Sequence, residues 1–292
     1  MLEPFRVINP TTAAEAAAEL GRLGERAKIY AGGAELILLL RHRLLQADTL
    51  INIKPIAALS ELSWKGGSAV IGAAVTHRRL ETEPQVLGRL PLLAHAESRI
   101  GNIRVRGQGT LGGNLCFADP YSDPGTALLV HETTVTLQGN GRERELKLEE
   151  FFHGPYETAL APDELLTSVR VSPLPAGWGH AYLRIERYHR PTLNVAAAAR
   201  WGGGSLVQAR LAVGCVGPKA VRLRDLESKI QGLRLDDAEL VARDAKPYLR
   251  GLLHPVDDLL GSADYKIHVT SVLLERALRE SARMQGGENR DG

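Results

Sequence analysis

The sequence predicts an α+β fold in two halves, and three observations carry that prediction. Strand and helix patterns come in clusters rather than in strict alternation. A stretch rich in Pro and Gly, with Pro173, Pro175, Gly177 and Gly179, divides the chain near residue 177. Two glycine-rich turns, Gly139-Asn140-Gly141 and Gly202-Gly203-Gly204, mark hairpins on either side of that divide. The 292 residues suffice for one large or two ordinary domains. Hydrophobic residues at 44% and charged residues at 24% allow a buried core, which must be aliphatic because aromatics are only 5%.

The elements follow in order. Thr11 or Thr12 is placed to cap an Ala-rich helix that stops at Gly24. Residues 27–30 form a short strand, Gly32-Gly33 turn it, residues 35–45 form a helix, and residues 50–53 return as a strand, which makes a small βαβ unit. Residues 69–72 read as a strand, Thr76 opens a helix, and residues 90–100 are an amphipathic helix. Residues 107–125 read as an open loop of Gly, Pro and Asp, and residues 126–130 as helix or buried strand. Residues 133–137 are a strand, and residues 146–152 close that unit. Beyond the divide, residues 182–188, 194–201 and 206–213 are three strands, with helices near 236–249 and 266–284 and a polar, frayed tail over 285–292.

The near balance of charge, +2 overall, offers no footprint for nucleic acid or an anionic membrane. The Arg-rich spots at Arg41 and Arg43, at Arg104 and Arg106, and over residues 184–190 read as solvated surface. Neither Cys116 nor Cys215 belongs to a CxxC pair, so this chain alone builds no zinc or iron–sulfur site, and a reducing compartment is expected. The first residues lack a basic region followed by an apolar one, so no secretory signal is expected. The apolar run 36–40 is far too short to span a bilayer. The nine histidines lie far apart, so no metal site is expected. No Ser–His–Asp arrangement and no catalytic side chain of the chain's own can be argued from spacing.

Two glycine loops carry the chemistry. In Ala31-Gly32-Gly33-Ala34-Glu35-Leu36 a strand ends and two glycines precede a helix. Glycine lets backbone N–H groups close on a phosphate, and a helix start adds donors; the alternative is a plain tight turn. The second, residues 107–124, contains a GxGxxG spacing at Gly107, Gly109 and Gly112. A dinucleotide fold would start its helix there, but Pro120 and Pro124 forbid one helix from Gly112 to Pro124, so that match is set aside. The better reading is a second anion cradle. Thr110 offers a hydroxyl, Gly112 and Gly113 offer backbone amides, and Asn114 offers a side-chain amide. Asp119 and Asp123 could accept from ribose or ribityl hydroxyls. Neither loop contains a lysine, which argues against a Walker-type site.

An AGGxxL loop, a TLGGN loop some 75 residues later, the ADPxxD stretch, and the run Ser262-Ala263-Asp264-Tyr265-Lys266-Ile267-His268 together resemble the FAD-binding medium subunit of the molybdenum hydroxylases, the xanthine dehydrogenase and carbon monoxide dehydrogenase family. The resemblance covers about residues 1–284. It implies a FAD-binding domain of the vanillyl-alcohol-oxidase/PCMH type over 1–176, with subdomains of about 1–56 and 57–176. A C-terminal α+β domain with a small antiparallel sheet then follows over 177–284. It implies FAD on this chain and two partners: a small subunit with [2Fe–2S] clusters and a large subunit with molybdopterin, in a dimer of heterotrimers. Electrons would pass from the iron–sulfur subunit to FAD and on to NAD, oxygen or a quinone, in the cytoplasm.

Residue by residue, Ala31, Gly32, Gly33, Ala34, Glu35 and Leu36 match the first pyrophosphate loop, and Thr110, Leu111, Gly112, Gly113 and Asn114 match the second. Asp123 matches the acid that contacts the cofactor's ribose region, and Ile100 an apolar position beside the flavin. Residues 187–195 match the segment near the isoalloxazine, including Thr192 and Asn194. The family pattern there has an acid then an aromatic where this chain has Pro191 and Thr192, and it often has Ser or Asp where this chain has Glu35. Partner docking is expected on the flank of the 36–45 helix and around Tyr121 and Tyr156. Two other functions compete: a self-contained FAD oxidoreductase of the same superfamily, and a non-catalytic nucleotide-binding protein.

Overall fold

Local chemistry sets the first elements. The Thr12 hydroxyl accepts from the Glu15 N–H at 3.1 Å and caps the helix Ala13–Leu23, which Gly24 ends at φ +67°. The structure, a computed structural model, describes residues 2–187 and 190–288. Strands Arg6–Ile8, Thr49–Asn52 and Ala27–Tyr30 form a parallel sheet in that order, so the expected βαβ unit is present. Its helix, Leu36–Arg41, is shorter than the expected 35–45. Arg43 takes φ +59° and the Leu44 N–H closes back on the Leu39 carbonyl at 2.9 Å, so the helix ends in a left-handed cap. An Arg stands where a Gly would have signalled the stop.

A second, antiparallel sheet has the order Leu62–Lys65, Ser68–Gly72, Leu165–Val171, Thr134–Gly139, Arg142–Lys147. The central strand, Leu165–Val171, has no counterpart among the expected elements. The first helix joins the two sheets: Ala16, Ala17 and Leu20 pack with Ile51 of the first, with Ile53 just beyond it, and with Leu165 of the second. Where the central strand begins, the buried Glu164 accepts from Arg144 of the edge strand at 2.7 and 2.9 Å and from the Ala161 N–H at 2.9 Å. These contacts, foremost Arg144, hold its carboxyl down at about 2. With Gly101–Ala118 and Glu132–Ser172, everything up to Glu83 makes one compact unit.

The second unit comprises Pro84–Ile100, Asp119–His131 and the chain from Pro173 onward. Its antiparallel sheet has the order Gly179–Arg187, Arg190–Gly202, Ser205–Gly214, Val221–Arg222. Gly203 and Gly204 both take positive φ, the conformation of a two-residue primed hairpin turn. In the second strand Pro191 through Ala199 are buried without alternation, because both faces are covered. Leu193, Val195, Ala197 and Ala199 pack with Leu273, Leu274, Ala277 and Leu278 of the helix Ala263–Glu288. On the alternate positions Asn194 bonds Thr126 of the helix Pro124–Val130. The long helix lies so close that a Cβ on Gly179 would stand 1.8 Å from the Ser281 carbonyl oxygen.

That helix continues past Met284, into the stretch expected to fray. Gln285 explains this: its side chain accepts from the Trp201 N–H at 2.8 Å and donates to the Trp201 carbonyl at 2.9 Å, satisfying that backbone as a neighbouring strand would. Residues 289–292 of the expected tail lie outside the described residues.

Two outcomes are expected. Gly179→Ala lowers the unfolding free energy in urea by about 1–3 kcal/mol, because an overpacked core must shift; an unchanged urea midpoint would contradict the close packing. Glu164 has a folded-state value below its unfolded one of about 4.3. Its contribution to stability is therefore present above about pH 4.3 and lost as pH falls toward about 2. Glu164→Gln should flatten that acid-side fall in the urea midpoint.

Candidate functional site

The first glycine loop runs from the end of strand Ala27–Tyr30 to Leu36. Gly33 takes φ +78°, and a Cβ there would lie 2.3 Å from the Tyr30 ring. A Cβ on Gly32 would lie 2.2 Å from the Gln108 carbonyl oxygen and 2.8 Å from the Gly109 Cα. The two loops singled out in the sequence therefore meet backbone to backbone. The carbonyls of Gly33 and Glu35 accept from Ile37 and Leu39. The N–H groups of Gly32, Gly33 and Ala34 donate to no group among the described residues. Glu35 is exposed.

The second loop is built differently from the expectation. Residues 107–125 are not an open loop: the helices Ile103–Gln108, Leu111–Phe117 and Pro124–Val130 occupy much of it. Gly112 to Pro124 is indeed not one helix, since the chain breaks at Ala118, φ +50°. Thr110 is the cap of the middle helix, and its hydroxyl oxygen accepts from the Gly113 N–H at 3.1 Å. The Leu111 and Gly112 amides donate to the Val75 and Ala73 carbonyls, both at 3.0 Å, and Asn114 donates to the Thr110 carbonyl at 2.9 Å. The helix-start amides expected to hold an anion are thus engaged within the chain, because a buried helix start must satisfy its own donors. Gly112 serves close packing instead: a Cβ there would fall 2.5 Å from the Ala73 Cβ. Thr110 retains its hydroxyl proton as a donor, and the Asn114 side chain is half-buried.

The remaining predicted residues belong to the second unit. Asp123, 4% exposed, accepts from the Tyr182 hydroxyl at 2.6 Å, Arg184 at 2.7 Å and the Asn194 amide at 3.3 Å. Asn194 also donates to the Ser122 carbonyl at 3.2 Å and accepts from Thr126 at 2.7 Å. Asp119 accepts from the Tyr121 N–H and from Arg190, both at 2.9 Å. The carboxylates expected to await hydroxyls are thus already engaged. Burial pushes the Asp123 carboxyl up, with Arg184 foremost among the groups pulling it down. Burial and Asp123 together drive the Tyr182 hydroxyl well above its ordinary value.

Thr192, 3% exposed, is the extra residue of a β-bulge: Leu193 pairs with Ile185 and Pro191 with Glu186, leaving Thr192 opposite none. Ile100 is half-buried just beyond the helix Pro91–Ser98. Of the segment 187–195, Tyr188 and His189 lie outside the described residues. Arg184 corrects the surface reading: its side chain is 4% exposed. Period two in the strand, with Tyr182, Arg184 and Glu186 on one face, is the signal that points to it. Tyr121, expected to be open to a partner, instead gives its hydroxyl to Asp258 at 2.7 Å. Leu38, Leu44 and Tyr156 are exposed.

Among the described residues no group of three or more His, Cys, Asp or Glu is placed to hold a metal ion. No helix there is long and apolar enough to cross a membrane.

Residues 3–175 match the profile of the FAD binding domain in molybdopterin dehydrogenase, and residues 182–281 that of the CO dehydrogenase flavoprotein C-terminal domain. The carbon monoxide dehydrogenase medium chain of Hydrogenophaga pseudoflava is 33% identical over 282 residues, covering 95% of this chain and 97% of that one. The nicotine 6-hydroxylase medium subunit of Paenarthrobacter nicotinovorans is 30% identical, covering 96% and 98%. A solved structure of the H. pseudoflava carbon monoxide dehydrogenase, lacking the Mo-pyranopterin moiety of its molybdenum cofactor, superposes with a TM-score of 0.92 at 32% identity, over 97% of this chain and 99% of that one. The chain belongs to this family of FAD-binding medium subunits.

Thr110→Ala should lower stability by about 1 kcal/mol in urea, while Thr110→Ser stays within a few tenths of the parent. Equal losses in both variants would mean that the cap does not set this helix.

Proposed function

We propose that this chain, a FAD-dependent medium subunit of a molybdenum hydroxylase, takes electrons from a small [2Fe–2S] subunit and passes them to an external acceptor, while substrate is hydroxylated on a large molybdopterin subunit. FAD, when bound, supplies a flavin that exchanges electrons one or two at a time. The chain's own residues bind it, orient it and tune it. The acceptor is NAD, oxygen or a quinone; the assembly is a dimer of heterotrimers in the cytoplasm. The domains are 1–176 and 177–284.

The observation that carries this reading is the loop Gly32 to Ala34. Three successive N–H groups lack a partner among the described residues, in a turn where a side chain on Gly32 or Gly33 would collide with the backbone or with Tyr30. Successive unpaired amides form a concave nest for an anion, which fits a diphosphate without a lysine. Ala31, Glu35 and Leu36 flank the nest. Glu35 is exposed, so it contributes backbone rather than carboxylate. Thr110 and Asn114 are the polar side chains of the second loop, and Leu111, Gly112 and Gly113 hold them in place. Ile100, Asp123, Thr192 and Asn194 serve the flavin end, on the strength of the resemblance.

The purified chain should show a flavin spectrum, release FAD on denaturation and bleach with dithionite. Ala34→Asp, which sets a carboxylate beside the nest and leaves both glycines in place, should lose the flavin while circular dichroism and the urea midpoint show a folded chain. Glu35→Gln should keep it. An Ala34→Asp protein that is folded and fully loaded with FAD would refute the nest. Bleaching by a hydroxylase substrate only when both partners co-purify would support the relay, and bleaching by the chain alone would refute it.

A further inference from the structure

The run 262–268 carries part of the family resemblance without a physical role of its own, and its Lys266 is buried to 1% exposure in the first turns of the helix Ala263–Glu288. A buried ammonium costs several kcal/mol unless it is paired and fully bonded. Here Nζ lies 2.6 Å from Asp258 Oδ2 and donates to the Val256 carbonyl at 3.0 Å. The same Asp258 oxygen accepts from the Tyr121 hydroxyl at 2.7 Å. Tyr121 donates its backbone N–H to Asp119, Asp119 pairs with Arg190, and the Arg190 guanidinium lies 5.5 Å from the Tyr121 ring centre. A polar clasp therefore joins three separate stretches: the turn before the last helix, residues 119–123, and the start of strand Arg190–Gly202.

Apolar burial does not hold that turn, since Val256 is 60% and Leu259 95% exposed. Its polar contacts do. The clasp ends two residues from the Thr192 bulge and two from Asp123.

We infer that Lys266 is a positioning residue for FAD: through Asp258 and Tyr121 it sets residues 119–123 and the Thr192 bulge, which stand at the flavin end. This rests on the FAD reading above.

The test uses the full chain stripped of FAD and titrated with FAD. Tyr121→Phe removes one hydroxyl and leaves the ring. It should raise the FAD Kd severalfold and change the visible circular dichroism of the bound flavin, over and above the fall in the FAD-free urea midpoint that loss of this hydrogen bond brings by itself. Lys266→Met with Asp258→Asn, which leaves no buried charge alone, should reproduce that spectrum. Adding Tyr121→Phe to it should do little more, because the groups act in one path. A Tyr121→Phe chain with parental Kd and flavin spectrum, or with only its urea midpoint moved, overturns the inference and leaves the FAD reading intact. A parent chain that takes up no FAD overturns both.

Discussion

The structure of the first unit turns on the place where Gly32 meets the backbone of Gln108 and Gly109. A methyl group there would stand 2.2 Å from a carbonyl oxygen, so the approach exists only because neither chain presents a side chain. The rest follows from that proximity. Gly109 accepts from the His77 amide, Thr110 caps the helix that begins beside it, and Gly112 rests on Ala73. The two loops divide the work between them. One leaves the amides of Gly32, Gly33 and Ala34 without a partner among the described residues, while the other satisfies its own and so serves as a rigid support.

The second unit relies on a different device, a network of buried polar groups around Asp123. Replacing a buried ion pair with apolar groups is often neutral or stabilising, whereas removing one partner is costly. The Arg184–Asp123 pair, with both side chains at most 5% exposed, is therefore better understood as a specification of geometry than as a source of stability. It fixes which way a carboxylate, a phenol and an amide face.

Elements with local chemistry were legible in the sequence. Thr12 and Gly24 bounded the first helix, Asn140-Gly141 and Gly203-Gly204 set hairpins, and the strand Ala27–Tyr30 ended where glycines began. Elements defined by distant partners were not. Leu165–Val171 is the middle of a sheet whose neighbours lie far away in the chain. Leu36–Arg41 is stopped by Arg43, two residues on, in a left-handed conformation. In the TLGGN run the donors were misjudged, because only the fold shows that Ala73 and Val75 accept from them. Arg184 was hidden by composition: a strand with several arginines looks solvated until its alternation is set against Asn194 and Asp123.

The strand from Ala196 to Ala199 has a wider consequence. It is completely buried between two layers of helix, and it is built from the smallest side chain that still has a Cβ. Here size, not greasiness, is the permitted variable. Valine would suit the pattern of a buried strand better, yet each added methyl would push against a layer on one side or the other. Change over time is thus confined at this strand to a very small alphabet, while the helices packed on it can exchange one large aliphatic residue for another. A distant relative of this half of the protein would be betrayed less by any shared motif than by a run of small residues at the centre of its longest strand.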